Sequence, residues 1–293
     1  MPEGKMNLCD VRTVRSLMQA FGLRARKEFG QNFLTNRAVV EDIAELCTDS
    51  EDETILEIGP GMGTLTRELC ARYRDVVALE IDKSLIPVLS YTLGDFHNVT
   101  VHNQDVMRAD LHALLAPYFE KGRVSVCANL PYYITTPILM KLLESGLPFH
   151  TITVMIQSEV ADRLCSPVGG KQCGAITAVL NYYGNAERLF TVPSADFLPA
   201  PSVDSAVVRI RLYDEKPYRP ADEALFRKCI RVAFEQRRKT LPNALAAGFP
   251  TLDKQACIDA VVRAGLSPDV RGERLTMEQF VALSDILSQM LAD

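Results

Sequence analysis

Three features of this 293-residue chain predict an α/β fold, a doubly wound parallel sheet followed by a smaller helical domain. Between residues 53 and 157, short apolar runs alternate with stretches of helical periodicity, the mark of βα units. A glycine-rich turn follows the first run and opens the first of those helices. Beyond about residue 215 the apolar spacing becomes helical throughout, so the expected domains are 1–215 and 216–293.

The elements follow in order. "ETILEIG" (53–59) reads as a strand buried on both faces, because its apolar residues run on instead of alternating. "TLTRELCARY" reads as a helix, and "DVVALEID" with "SLIPVLSYTL" repeats the pair. "NVTVHNQD" precedes a helical stretch near 106–120, "RVSVCAN" precedes "TPILMKLLESG", and "TITVMIQ" precedes "SEVADRLC". "CGAITAVLNYYG" is expected to be helical; "AERLFTVP" and "DSAVVRIRLY" are expected as strands, joined by the proline-rich "SADFLPAPSVD". From Ala221 the chain predicts one long helix through Leu241, a second over 252–266, and a terminal one. Thr276 followed by Gln279 is a capping box for the terminal helix, whose Phe280, Leu283, Leu287 and Met290 recur at core-packing spacing.

Composition narrows the function classes. With 47% hydrophobic and 24% charged residues, the chain reads as soluble and able to bury a core. No apolar stretch approaches the roughly 20 residues a bilayer span needs. The N-terminus lacks the apolar core of a signal peptide. A basic extension over 1–28, with Arg12, Arg15, Arg24, Arg26 and Lys27, faintly resembles a transit peptide but runs straight into the "FGQNFL" stretch, so cleavage is not expected. Eight cysteines without a C-x-x-C pair, and four histidines without H-E-x-x-H spacing, argue against a metal site or a disulfide framework. The expected compartment is reducing and cytoplasmic. Net charge is −5, yet residues 205–241 hold ten Lys/Arg against five Asp/Glu, which permits a basic face on an acidic protein.

Four strand ends carry chemistry, and ligands of such sheets bind at carboxyl ends. "EIGPGMGTLT" (57–66) places Gly59, Gly61 and Gly63 between strand and helix, where glycine lets a ligand approach the backbone. The dinucleotide pattern G-x-G-x-x-G/A fails at Thr64; E-x-G-x-G-x-G, with an acid ahead of the loop, suits S-adenosylmethionine. Glu80 ends the second strand, placed either to accept ribose hydroxyls or as a surface carboxylate. Asp105 ends the third, to accept from an adenine amine or to cap the next helix. The fourth ends in "NLPYYI" (129–134). An exocyclic amine has its lone pair delocalised into the base. The Asn129 side-chain carbonyl and the Leu130 backbone carbonyl can accept its two hydrogens, hold the nitrogen pyramidal and aim the lone pair at a sulfonium methyl. Pro131 removes a competing N–H and stiffens the turn, and Tyr132 offers a stacking face to a flipped-out base. Such a site needs no dedicated general base.

Taken together, "RKEFGQNFL" (26–34), "EIGPGMGTLT", "ALEID", "NQD", "NLPYYI", "FLPAPSVDSAVV" and "FEQRRKTL" resemble the ribosomal RNA adenine N6-dimethyltransferases. The resemblance runs from about residue 25 to 275, in the family's motif order, and is closest to the bacterial branch that modifies two adjacent adenines near the 3′ end of small-subunit ribosomal RNA. It implies a Rossmann-like methyltransferase sheet and S-adenosylmethionine as cofactor, bound by Asn32, Leu34, Gly59, Gly61, Glu80, Asp105 and Asn129. It also implies Phe197 stacking on the target adenine opposite Tyr132, although Phe197 reads equally well as a core aromatic between prolines. Cys173 stands where the family often has tyrosine. The basic stretch Arg231, Arg237, Arg238 and Lys239, on a helix whose other side carries Phe226, Ile230, Ala233 and Phe234, is the expected RNA-binding face; a solvated face is the alternative. The expected partner is ribosomal RNA in the small subunit or its assembly intermediate, engaged by a monomer without metal or membrane. Two other readings stand beside this: a large-subunit dimethyltransferase of the antibiotic-resistance type, and a non-catalytic ribosome-assembly factor.

Overall fold

The computed structural model describes residues 6–23, 30–236 and 238–292. Helix α1 (Val11–Ala20) starts at Asp10, whose carboxylate accepts from Arg12 N, and precedes a two-residue strand β1 (Phe33–Leu34) and α2 (Arg37–Glu45). The βα series follows: β2 (Thr54–Ile58), α3 (Thr64–Arg72), β3 (Asp75–Glu80), α4 (Ile86–Thr92), β4 (Val99–Asn103), α5 (Leu111–Phe119), β5 (Val124–Asn129), α6 (Thr135–Glu144), β6 (Thr151–Gln157) and α7 (Ser158–Leu164). Then come α8 (Ala175–Tyr183), β7 (Gly184–Val192), β8 (Phe197–Leu198) and β9 (Ser205–Leu212). Four helices close the chain: α9 (Glu223–Glu235), α10 (Leu241–Gly248), α11 (Lys254–Arg263) and α12 (Met277–Ala292).

The seven-stranded sheet has the order β4-β3-β2-β5-β6-β9-β7. Strands β2 to β6 run parallel, and β9 returns antiparallel to β6 from Thr151↔Arg211 to Gln157↔Ser205. The α/β doubly wound expectation is met, with an antiparallel edge added. The winding reverses at β2, which pairs with β3 on one side and β5 on the other, so a crevice opens at its carboxyl end. Helices α2 and α3 cover one face through Val40, Ile43, Leu65 and Leu69, which pack with Ile55, Val76, Cys127 and Met155. At the amino ends of the central strands, the buried Glu53 accepts from Thr48 Oγ1 (3.0 Å) and Ser125 Oγ (2.6 Å) and faces His150 Nδ1 at 2.8 Å. That polar lock fixes strand register at one end of the sheet, and register decides which residues arrive at the other.

The chain divides into two compact units, Met1–Ala161 with Glu187–Leu212, and Asp162–Ala186 with Tyr213–Asp293. The expected break after residue 215 has its counterpart at Leu212, but Asp162–Ala186 groups with the C-terminal helices. Tyr182 of α8 packs its ring 4.9 Å from that of Phe226 in α9, and Lys216 lies over both Tyr182 and Tyr183. The long helix expected over 221–241 is two helices. α9 ends at Glu235, and α10 restarts at Leu241 with Pro242 in its first turn, where proline is tolerated. The capping box holds: Thr276 N donates to Gln279 Oε1 (3.0 Å) and Gln279 N to Thr276 Oγ1 (3.4 Å). None of the eight cysteines is in a disulfide, and among the described residues no helix is long and apolar enough to cross a membrane.

Candidate active site

A cleft of about 890 Å³, counted to its open mouth, lies at the carboxyl ends of β2, β3 and β5 and is lined in part by the strap Gly30–Leu34. Its floor is the loop after β2, where Gly59, Gly61 and Gly63 have φ of +73°, +60° and +89°. Gly63 caps α3, and a side chain there would meet Thr92 Oγ1 at 3.0 Å and Leu93 at 3.3 Å, so helix and neighbour approach as closely as glycine alone allows. The turn aims the Gly61 N–H at Glu80 Oε2, 3.1 Å away.

Two carboxylates face the cleft. Glu80, 4% exposed, also accepts from Asp82 N at 2.8 Å; burial pushes its carboxyl up to about 7 against the pull of those backbone donors. Glu57, 1% exposed, is pushed up to about 8 by burial, and its Oε2 has no hydrogen-bond partner. The sequence marks this acid only by its place two residues before Gly59, at the mouth of the glycine loop.

On the far wall β5 delivers Asn129, whose Nδ2 donates to Asn32 O at 3.3 Å. That bond turns the amide so that Oδ1 is its available acceptor, and no described residue donates to Oδ1. Leu130 is buried, its N–H donating to Met155 O at 3.1 Å. The Pro131 carbonyl accepts from Ile134 N and Thr135 Oγ1, which closes the turn into α6. Tyr132 is half-buried beside the cleft, its hydroxyl 2.6 Å from Ser205 Oγ, and burial raises its pKa.

Asn32 and Leu34 line the same cleft, with Gly59, Gly61, Glu80, Asn129, Leu130, Pro131 and Tyr132. Two expected residues stand apart from it. Asp105 lies two residues beyond the end of β4, its Oδ1 accepting from Met107 N at 2.8 Å, and is not among the lining residues. Phe197 is 4% exposed and packs in the core with Leu34, Val192 and Val207, because the pairing of β8 with β1 directs its ring inward. Of the basic stretch, Arg231 is exposed on α9. Arg238 and Lys239 are exposed in the turn after α9, not on the helix as expected, and Arg237 lies outside the described residues.

Glu57 and Glu80 are the only charged residues among those described as lining the cleft. Two buried, proton-retaining carboxyls, with no cation among the described lining residues, suit a ligand that carries positive charge and hydroxyl donors. S-adenosylmethionine, with a sulfonium, an amine and a ribose diol, fits that donor set.

The family model described as "Ribosomal RNA adenine dimethylase" matches residues 22–289. The protein named ribosomal RNA small subunit methyltransferase A of Ligilactobacillus salivarius is 43% identical over 94% of this chain and 94% of its own. The protein of that name from Alkaliphilus metalliredigens is 41% identical over 92% of this chain and 94% of its own. Among solved structures, the 23S rRNA methyltransferase ErmE superposes with a TM-score of 0.64 at 27% identity, covering 88% of this chain and 100% of that one. A dimethyladenosine transferase from Plasmodium falciparum superposes at 0.70, with 23% identity over 85% of this chain and 95% of that one, a likeness of fold. A sheet wound about a glycine turn, an acidic cleft closed by an oriented asparagine, and a family match over nearly the whole length lead to one assignment: the chain belongs to the ribosomal RNA adenine dimethylase family.

Proposed function

We propose that the protein dimethylates N6 of two adjacent adenines near the 3′ end of small-subunit ribosomal RNA, with S-adenosylmethionine as methyl donor. The orientation of Asn129 carries this reading. Its amide nitrogen donates to the Asn32 carbonyl, which leaves the amide oxygen as the acceptor at the end of β5. When bound, S-adenosylmethionine supplies an electrophilic methyl on a sulfonium.

The protein's own part is to bind, orient and strip resonance from the amine. Asn129 Oδ1 and the Leu130 carbonyl accept the two amine hydrogens, which favours a pyramidal nitrogen with its lone pair exposed. The proton released on transfer passes to solvent. Tyr132, its ring steadied through Ser205, stacks on the flipped adenine. Phe197 would have to leave the core to stack, so Tyr132 carries that contact. Glu80 accepts the ribose hydroxyls; Asn32 and Leu34 close over the cofactor, and Gly59 and Gly61 admit it. Asp105, whose carboxylate has acceptor capacity beyond Met107 N, receives the cofactor's adenine amine. Arg231, Arg237, Arg238 and Lys239 grip RNA phosphates from the C-terminal unit. The protein works as a cytoplasmic monomer on the small subunit or its assembly intermediate.

The relatives at 41–43% identity carry the small-subunit name, which favours that substrate over large-subunit RNA. The test is tritiated methyl transfer to unmethylated small subunits, with the product base mapped. Label in two adjacent dimethyladenines of small-subunit RNA is expected; label confined to large-subunit RNA would replace this reading with the resistance-type one, and none at all would favour the assembly factor.

A further inference from the structure

Asp82 is built as a post beside the cleft. It is buried, its Oδ1 accepts from Ser84 N (3.0 Å) and Ser84 Oγ (2.6 Å), and its own N–H donates to Glu80 Oε1 at 2.8 Å. The remaining oxygen, Oδ2, accepts from Gln31 Nε2 at 2.8 Å across a sequence gap of 51 residues. Gln31 belongs to the Gly30–Leu34 strap, and the next residue, Asn32, offers its carbonyl to Asn129 Nδ2. Beyond that point the strap is held by pairing of β1 with β8 and by Thr35 N donating to Asp196 O at 2.7 Å. A run of hydrogen bonds therefore joins Glu80 on one wall to Asn129 on the other, through Asp82, Gln31 and the backbone of Asn32.

We propose that Gln31 is a positioning residue: its bond to Asp82 latches the strap across the cleft, and the latched strap holds the Asn129 amide in its acceptor orientation. The inference rests on the reading of Asn129 as acceptor of the target amine. An amide without its fixed carbonyl partner rotates, and its NH₂ then faces the amine hydrogens and repels them. A neutral glutamine suits the latch, since its amide donates to the buried Asp82 oxygen and adds no charge of its own to the cleft. Gln31 contributes to turnover through Asn129 and makes no contribution to RNA affinity.

The test uses the full-length protein with Gln31→Leu and, in case that variant is poorly folded, Gln31→Met. Hydrogen exchange of the cofactor-free chain reads the latch directly: amides of Phe33 and Leu34 should exchange about tenfold faster, with β2 and β5 unaltered. Unchanged exchange there overturns the latch. Single-turnover methylation of small subunits should slow about three- to tenfold, the range expected for one lost hydrogen bond, with unchanged particle affinity. In an Asn129→Ala background the same substitution should slow it less than about twofold. An undiminished loss in that background overturns action through Asn129. If the wild-type protein fails to methylate small subunits at all, the functional reading falls, and the exchange measurement still decides the latch.

Discussion

Burial raises the carboxyl of Glu80 to about 7 and that of Glu57 to about 8, while an unfolded glutamate titrates near about 4.3. Both groups thus hold a proton more tightly folded than unfolded. Their contribution to stability is complete below the unfolded value and is lost as pH rises through 7 to 8. A cationic, hydroxyl-bearing cofactor prefers them ionised, so affinity runs the opposite way. Calorimetry should find S-adenosylmethionine bound about tenfold more tightly at pH 8 than at pH 6, with protons released, while the melting temperature of the free protein falls over that range. Glu80→Ala should weaken binding by about 1.5–3 kcal/mol, the worth of hydrogen bonds to a charged group; wild-type affinity in a folded variant would remove Glu80 from the cofactor. Asn129→Ala should cut turnover far more than RNA affinity, and equal losses in both would mean the turn is only structural. Glu80 and Asn129 were legible because each ends an apolar run whose polarity changes abruptly. Gln31 was not, because its partner is remote in sequence and a glutamine in a loop carries no spacing signal. Nor was the burial of Phe197, since a phenylalanine between strand and prolines reads alike whether it faces core or ligand.

At the level of elements, close approach sets the tightest constraints. A Cβ at Gly272 would lie 2.5 Å from Ala233 Cβ and 2.6 Å from the Ala233 carbonyl oxygen, so α9 and the turn before α12 meet backbone to backbone. Gly272→Ala should therefore destabilise the C-terminal unit by roughly 1–3 kcal/mol, read as a lower urea midpoint; an unchanged midpoint would show that the turn can shift. The apolar face of α9 was legible from its period, as Phe226, Ile230, Ala233 and Phe234 are all buried. Its end was not, because "EQRRKT" carries good helix formers and only Pro242, seven residues after Glu235, marks the restart. This matters for RNA contact. Arg238 and Lys239 sit in a turn that presents them apart from Arg231, with Lys239 N donating to Gln236 O at 2.8 Å. Arg238→Ala with Lys239→Ala should flatten the salt dependence of particle binding by about 0.7 per lost phosphate contact and leave cofactor affinity alone. An unaltered slope would move the RNA surface to Arg12 and Arg15 on α1. That helix and the two-residue strands β1 and β8 escaped sequence reading, the strands because two residues show no alternation.

For the molecule as a whole, the βα order and the change to helices were plain in the chain, whereas Asp162–Ala186 looked continuous with the first unit. Only three-dimensional packing, Tyr182 on Phe226, assigns it to the second. The charge plan also works at this scale: an overall −5, with a basic excess over residues 205–241 and with Glu57 and Glu80 the only charged residues among those described as lining the cleft. That last feature bears on competition inside a cell. ATP and the nicotinamide cofactors carry the same adenosine as S-adenosylmethionine, and they circulate at high concentration. Their phosphates would have to lie near Glu57 and Glu80, and once those buried carboxyls give up their protons, as pH rises through 7 to 8, like charges in so dry a place repel strongly. Inhibitors built on phosphorylated adenosine should therefore bind more weakly as pH rises through 7 to 8, whereas amine-bearing ones should bind more tightly.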